Sequence, residues 1–342
     1  MSSASLSLTG FKNQTNLTIP PTMLRNRFYY AVKPLVPARM RRVVRSWVTQ
    51  RKRARVNHVW PIMPGTQTPP PGWPGWPEGR RFAFVLTHDV EELYGLSKCR
   101  QLMEYEKSFG FRSSFNLIPE GPYQVPEDLR AELTANSFEV GVHDLHHDGK
   151  LYESRRSFEK SAQRINQYLG EWGAVGFRSG FMLHNLEWAH QLNIQYEAST
   201  FDTDPFEPQP EGLPTIFPHW IERPVSGNHH PASGNGSNDR KGYLELPYTL
   251  AQDSTLFLLL GEETPDIWFQ KIKWVAKHGG MVLVDTHPDY MCFPGEKKKY
   301  WEYPVELYGA LLQHVASEYR GQYWHALPKD LAAYWHKVMP RV

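Results

Sequence analysis

Cysteine is nearly absent from this chain: two residues in 342, Cys99 and Cys292. Two thiols make no disulfide framework, and their scarcity fits a reducing compartment. No apolar run approaches the roughly 18 residues of a membrane-spanning helix, which argues against one. The first 20 residues carry Ser, Thr and Asn where a secretory signal would place its apolar stretch. The expected location is therefore the cytoplasm. Acidic residues are missing from the whole of residues 1–77. No recognisable nucleic-acid module accompanies that basic segment, so nucleic acid is not expected as a partner.

The charge is divided along the chain. Residues 1–60 hold 12 of the 38 basic residues, and 61–342 hold 26 basic against 36 acidic residues. A basic N-terminal arm thus precedes an acidic body. Residues 1–22 are Ser/Thr/Asn-rich and read as disordered. Over 37–55, Met40, Val43, Val44, Trp47 and Val48 share one helical face amid eight Arg and Lys residues. Such a helix suits an anionic membrane surface, at the inner face of the membrane, or packs its apolar stripe on the body. Residues 61–79 are rich in Pro, Gly and Trp and form a linker, with Trp73 and Trp76 expected to pack down on the body. The arm therefore spans 1–79 and the main domain 80–335.

From Arg80 onward strands and helices alternate. Strands are expected at 81–88, 112–118, 138–143, 174–178, 194–198, 244–248 and 280–286. Helices are expected at 95–109, 126–136, 152–170, 185–192, 264–278 and 303–318. This α/β alternation predicts a parallel sheet or a (β/α) barrel. The polar, Gly-rich stretch 225–241 reads as a surface insertion or lid.

Chemistry-bearing residues recur where strands end. Asp89 and Glu91 close the apolar run that begins at Phe82. His143 and His147, four apart after the next-but-one strand, have the spacing at which two imidazoles share a metal, with His146 as an alternative to His147. Imidazole plus carboxylate is a donor set for Zn²⁺ or a similar divalent ion. Arg178, the Asp202/Asp204 pair and His287 follow at later strand ends. Singly, each has a structural explanation: an ion pair, a turn cap, a core histidine. In a barrel, however, strand C-termini converge on one face, where active sites form.

That order of residues resembles the polysaccharide deacetylase family, the NodB homology domain of carbohydrate esterase family 4, over roughly residues 81–327. Val142 through Lys150, with His147-Asp148-Gly149, is the most specific piece. The resemblance implies a distorted, incomplete (β/α) barrel. It also implies a divalent metal, most often Zn²⁺, used to hydrolyse N- or O-acetyl groups on sugars. It makes Asp89 the general base, Arg178 the residue orienting that base, and His287 the general acid. Glu91, His143 and His147 become the metal ligands, Glu91 standing in because Val90 occupies the usual aspartate position. Gly180 stands where the family often has Pro. The partner of His287 is expected to be Asp202, with Asp204 as the alternative. Tyr123, His184, Trp188 and Trp220 are candidates for a sugar groove. Two other readings stay open: hydrolysis of a different C–N bond in a small molecule, and a degenerate glycan-binding member without catalysis.

Overall fold

The computed structural model describes residues 48–223 and 242–339. Its strands, in chain order, are β1 (Phe82–Val90), β2 (Ser114–Leu117), β3 (Glu139–His143), β4 (Gly176–Arg178), β5 (Tyr196–Glu197), β6 (His219–Glu222), β7 (Gly242–Glu245), β8 (Met281–Thr286), β9 (Met291–Cys292), β10 (Tyr303–Pro304) and β11 (Tyr323–His325). The helices are α1 (Leu93–Ser108), α2 (Glu127–Ala135), α3 (Arg155–Trp172), α4 (Asp266–His278), α5 (Glu306–Glu318) and α6 (Pro328–Val338).

β1 is the hub. All nine of its residues are buried, as expected of a strand covered on both faces. Phe82–Phe84 pair with β11 and Thr87–Val90 with β2, while Ala83–His88 pair with β8. The sheet then runs β2-β3-β4-β5-β7-β6, parallel throughout except for β6 against β7. β8 does not pair with β7. The extended chain at Thr249 and Leu250 reaches across instead, both amides donating to the Leu283 carbonyl at 3.0 and 3.1 Å. This is a distorted, incomplete (β/α) barrel, as the family resemblance implied, and its largely parallel sheet is what the alternation of strands and helices predicted.

Strand parity decides what faces inward, because successive side chains point to opposite faces. Phe82, Phe84 and Leu86 pack outward in the cluster beneath the helices, and Ala83 and Val85 belong to the inner cluster. β8 repeats the rule, with Val282 and Val284 outward and Met281 and Leu283 inward. Continued along each strand, the same parity turns Thr87, Asp89, Asp285 and His287 inward. The inner face is thus apolar at the bottom, around Ala83, Val85, Tyr196, Leu244, Met281 and Leu283, and polar at the top.

The helices are bounded by local chemistry. α3 starts after Ser154, whose side chain accepts from the Ser157 amide at 3.1 Å, and stops at Gly173, where φ is +62°. Its buried stripe is Phe158, Ala162, Ile165 and Leu169. Two expectations change, and further elements appear. The helix expected over 303–318 begins at Glu306, because Tyr303 and Pro304 pair with β9. Residues 185–192 hold only a short 3₁₀ turn, Trp188–Gln191. Ser254–Leu260, β6, β11 and α6 were not anticipated; Ser254–Leu260 forms a π-helical turn.

Residues 48–56, the end of the basic helix, dock on the body. Gln50 donates to the Leu260 carbonyl at 2.8 Å, Lys52 to the Pro205 carbonyl, and Arg53 pairs with Glu262. Residues 37–47 lie outside the described residues, as does the stretch 225–241. Trp60 and Trp76 are buried, and Trp73 stacks on Trp335 at 5.3 Å. The linker tryptophans therefore pack on the body as expected. Among the described residues, no helix is long and apolar enough to cross a membrane.

Candidate active site

At the top of the barrel the inward side chains of β1, β3, β4 and β8 meet. Asp89 is buried, and its Oδ1 accepts from Asn116 Nδ2 at 2.8 Å and Arg178 Nη1 at 3.2 Å. Its Oδ2 lies 3.7 Å from His143 Nδ1. Burial opposes ionisation of this carboxyl, but the positive charges of Arg178 and His287 and the bond from Asn116 outweigh it and hold its pKa below the usual carboxylate range. Asp89 is a carboxylate at any physiological pH.

Arg178 is wholly buried and fixed from four sides. Nε donates to the Ala198 carbonyl at 2.7 Å, and Nη1 reaches Thr87 Oγ1 at 2.8 Å and Asp285 Oδ1 at 2.6 Å in addition to Asp89. Asp285 was not singled out as a site residue by sequence. Its Oδ2 has no hydrogen-bond partner and lies 3.9 Å from His287 Nε2.

Glu91, His143 and His147 come together as expected, with one ligand atom from each lying within 4.8 Å of the others. His143 Nδ1 faces the Arg178 carbonyl at 3.2 Å, so Nδ1–H donates there and Nε2 carries the lone pair. Burial pushes the His143 pKa down, favouring the neutral, ligating form. His147 Nε2 lies 3.2 Å from Glu91 Oε1. Burial opposes charge on His147, but the Glu91 carboxylate raises its pKa overall. The same pairing, with a bond from Tyr290, holds Glu91 far below the usual carboxylate range despite its burial. His143 Nε2 is buried without a hydrogen-bond partner, and His147 Nε2 is buried facing Glu91 Oε1. Two imidazole nitrogens converging on an ionised carboxylate fit a divalent cation. A second trio, Asp89, Asp285 and His287, is equally close. There the Arg178 guanidinium already supplies the positive charge.

The loop carrying the histidines is tightly shaped. Asp144 and His147 both have φ of +54°, a region that L-residues seldom occupy. Asp144 accepts from the amides of Leu145 and Gly180 at 2.6 and 3.2 Å. Gly180 has a steric reason to be glycine: a Cβ there would sit 2.6 Å from His147 Cδ2 and 2.8 Å from Asp144 Oδ2.

His287 sits where expected, but its partner does not. His287 Nδ1 contacts Asp253 Oδ1 at 2.7 Å, and its amide donates to Asp253 Oδ2 at 2.8 Å. Tyr303 donates a further bond to Asp253 at 3.0 Å. Asp202 instead pairs with Lys271 of α4 at 2.6 Å, and Asp204 accepts from Tyr248 at 2.9 Å. Neither is the partner of His287. Burial disfavours a charged His287, yet Asp253, Asp285 and Glu91 raise its pKa well above the ordinary histidine value. Tyr123 also departs from expectation. Its hydroxyl donates to the Val90 carbonyl and accepts from the Ile118 amide, so it braces β1 from within. Asp253 could have been found from the run Asp253-Ser254 ahead of an apolar stretch, a helix-start pattern.

No family model matches the sequence, and no curated protein matches it. Solved structures do. The chain superposes on a Mycobacterium smegmatis protein assigned as a polysaccharide deacetylase, with TM-score 0.57 and 17% identity, covering 80% of this chain and 97% of that one. The peptidoglycan deacetylase PdaC of Bacillus subtilis matches at TM-score 0.43 and 9% identity, over 77% of this chain and 95% of that one. BA3943, a CE4 family pseudoenzyme from Bacillus anthracis, matches at 0.42 and 13%, over 73% and 65%. The M. smegmatis structure is the match that establishes the shared fold.

Proposed function

We propose that this chain, which has the fold of the M. smegmatis protein, is a metal-dependent carbohydrate deacetylase. Its substrate is an N-acetylated sugar of a polysaccharide, glycolipid or glycan precursor. The observation that carries this reading is geometric: Asp89, fixed by Asn116 and Arg178, and His287, fixed by Asp253, stand in one site beside Glu91, His143 and His147. Their neighbours push the Asp89 pKa down and the His287 pKa up. A base and an acid set apart in this way are what amide hydrolysis requires.

Glu91, His143 and His147 would hold the cation, most suitably Zn²⁺, which when bound polarises a carbonyl and acidifies water. Asp89 Oδ1 is engaged by Asn116 and Arg178, which leaves Oδ2 to take the proton of the attacking water. Arg178 keeps that carboxylate in place and ionised. His287 Nε2 donates its proton to the leaving nitrogen of the sugar as the C–N bond breaks. Asp253 on Nδ1 fixes the tautomer and orientation of the ring. The products are acetate and a free amino sugar. Beside the histidine loop a groove of about 430 Å³ is lined by Glu120, Asp148, Lys150, Ser157, Lys160 and Arg164. Its hydrogen-bonding groups suit the hydroxyls of a neighbouring sugar unit.

The test is acetate release from a panel of N-acetylated oligosaccharides by zinc-loaded protein, wild type beside Asp89→Asn. Turnover by wild type and at least a 100-fold loss in the variant are expected, since general-base catalysis is worth about 10²–10⁴-fold. Equal turnover by the variant would remove Asp89 from the mechanism. Turnover only on other small-molecule amides would replace the sugar reading.

A further inference from the structure

His287 is followed by Pro288-Asp289-Tyr290, and this short segment reaches back to the opposite side of the site. Asp289 is 4% exposed and spends both carboxylate oxygens on backbone. Oδ2 accepts from the Glu91 amide at 3.0 Å, and Oδ1 accepts from the amides of Glu92 and Gly95, each at 3.0 Å. Gly95 permits the approach, because a Cβ there would lie 2.2 Å from Asp289 Oδ2. Tyr290 donates its hydroxyl to Glu91 Oε2 at 2.7 Å, while its ring lies 5.1 Å from that of His287. Oε1 of the same carboxylate is the oxygen that faces His147.

We propose that Asp289 and Tyr290 are positioning residues that together clamp Glu91 and so set the affinity of the site for a divalent cation. The inference rests on the metal-site reading above. Its physical basis is the length of the ligand. A glutamate carries one more rotatable bond than an aspartate, and freezing it costs entropy on binding. Asp289 fixes the turn from which Glu91 projects. Tyr290 then removes the remaining freedom by holding one oxygen, which leaves the other directed at the histidines. Partners of this kind, standing behind a ligand, are typically worth about 10–100-fold in metal affinity.

The measurement is Zn²⁺ affinity of the full chain by competition with a chromophoric chelator, with thermal melts of the metal-free proteins alongside. Tyr290→Phe keeps the ring and removes the hydroxyl, and should weaken Zn²⁺ binding by about 10–100-fold. Glu91→Asp shortens the ligand beyond reach of that hydroxyl, so adding Tyr290→Phe to it should change the affinity no further. A Tyr290→Phe protein that binds Zn²⁺ like wild type, while His143→Ala/His147→Ala has lost binding, would overturn the clamp and leave the metal site standing. A lowered melting temperature with unchanged affinity would likewise reduce Tyr290 to a packing role and overturn it. Wild type that binds no Zn²⁺ would instead overturn the metal reading, and the clamp with it.

Discussion

Replacing Asp253 by Asn should cripple the site without touching any atom that meets substrate. In the wild type three carboxylates surround His287, and Asp253 is the nearest, 2.7 Å from Nδ1. Burial alone would lower the pKa of this imidazole; Asp253 is the largest of the influences that raise it. Asn keeps a hydrogen-bonding oxygen but not the charge. An opposite charge at this range is worth about 1–3 pH units, so the alkaline limb of the kcat/KM profile should move down by that amount. The sign follows from the role. The acid must carry its proton, so activity persists below the pKa of His287 and is lost as pH rises through it. At a pH above the shifted limb the variant should be about 10–1,000-fold slower, while at the acidic end the two proteins converge. The assay is acetate release from about pH 5 to about pH 10, a span that covers both the ordinary histidine value and a raised one. An alkaline limb at the same pH in both proteins would refute the assignment of Asp253 and of His287 as the acid.

Gly180→Ala should place a methyl 2.6 Å from His147; relief of that overlap displaces the imidazole, costing about 1–3 kcal/mol of stability and weakening Zn²⁺ binding, both read by denaturant melts and metal titration. Glu139, buried with a bond from Tyr196 at 2.8 Å and from the Lys329 amide at 3.0 Å, has its pKa raised by burial to about 7. The folded state therefore holds this proton more tightly than the unfolded chain, and stability is fully present below pH about 4.5 and falls as pH rises to about 7, by roughly 3 kcal/mol. Glu139→Gln should remove that contribution and flatten the slope in urea melts taken between those values, the remainder coming from groups such as Asp202; an unchanged slope would show that Glu139 carries none of it.

Asp89, His143, Arg178 and His287 were legible because each lies at or just past the C-terminal end of a strand, where parity turns it inward beside its neighbours, and His147 because it stands four residues after His143 in the loop that follows β3. An apolar run read at period two locates such residues without knowledge of the loops. Asp253 escaped because it ends no strand. It follows the chain that crosses from β7 to β8 and, with helical backbone angles of its own, opens a π-helical turn at Ser254, a local geometry with no periodic signature. Asp202 attracted the assignment by its order in the chain, but the ammonium that meets it, Lys271, comes from a helix 69 residues away. Burial raises the Asp202 pKa to about 6 in spite of that lysine. Pairing of buried charges is decided by which helix packs over which strand end, and the sequence pattern specifies the elements better than it specifies their side-chain partners. The clamp on Glu91 was invisible for the same reason: Asp289 and Tyr290 are 198 and 199 residues from their partner. The basic helix shows a further limit. An amphipathic stripe suits a membrane or a protein surface equally, and only the contacts of Gln50, Lys52 and Arg53 place residues 48–56 on the body.

The most direct test of the account is the metal content of the purified protein, wild type beside His143→Ala/His147→Ala, after incubation with Zn²⁺ and removal of the excess. The arrangement of Glu91, His143 and His147 predicts one zinc ion per wild-type chain and none in the double variant. No tightly bound metal in the wild type, or equal metal in both, would contradict it.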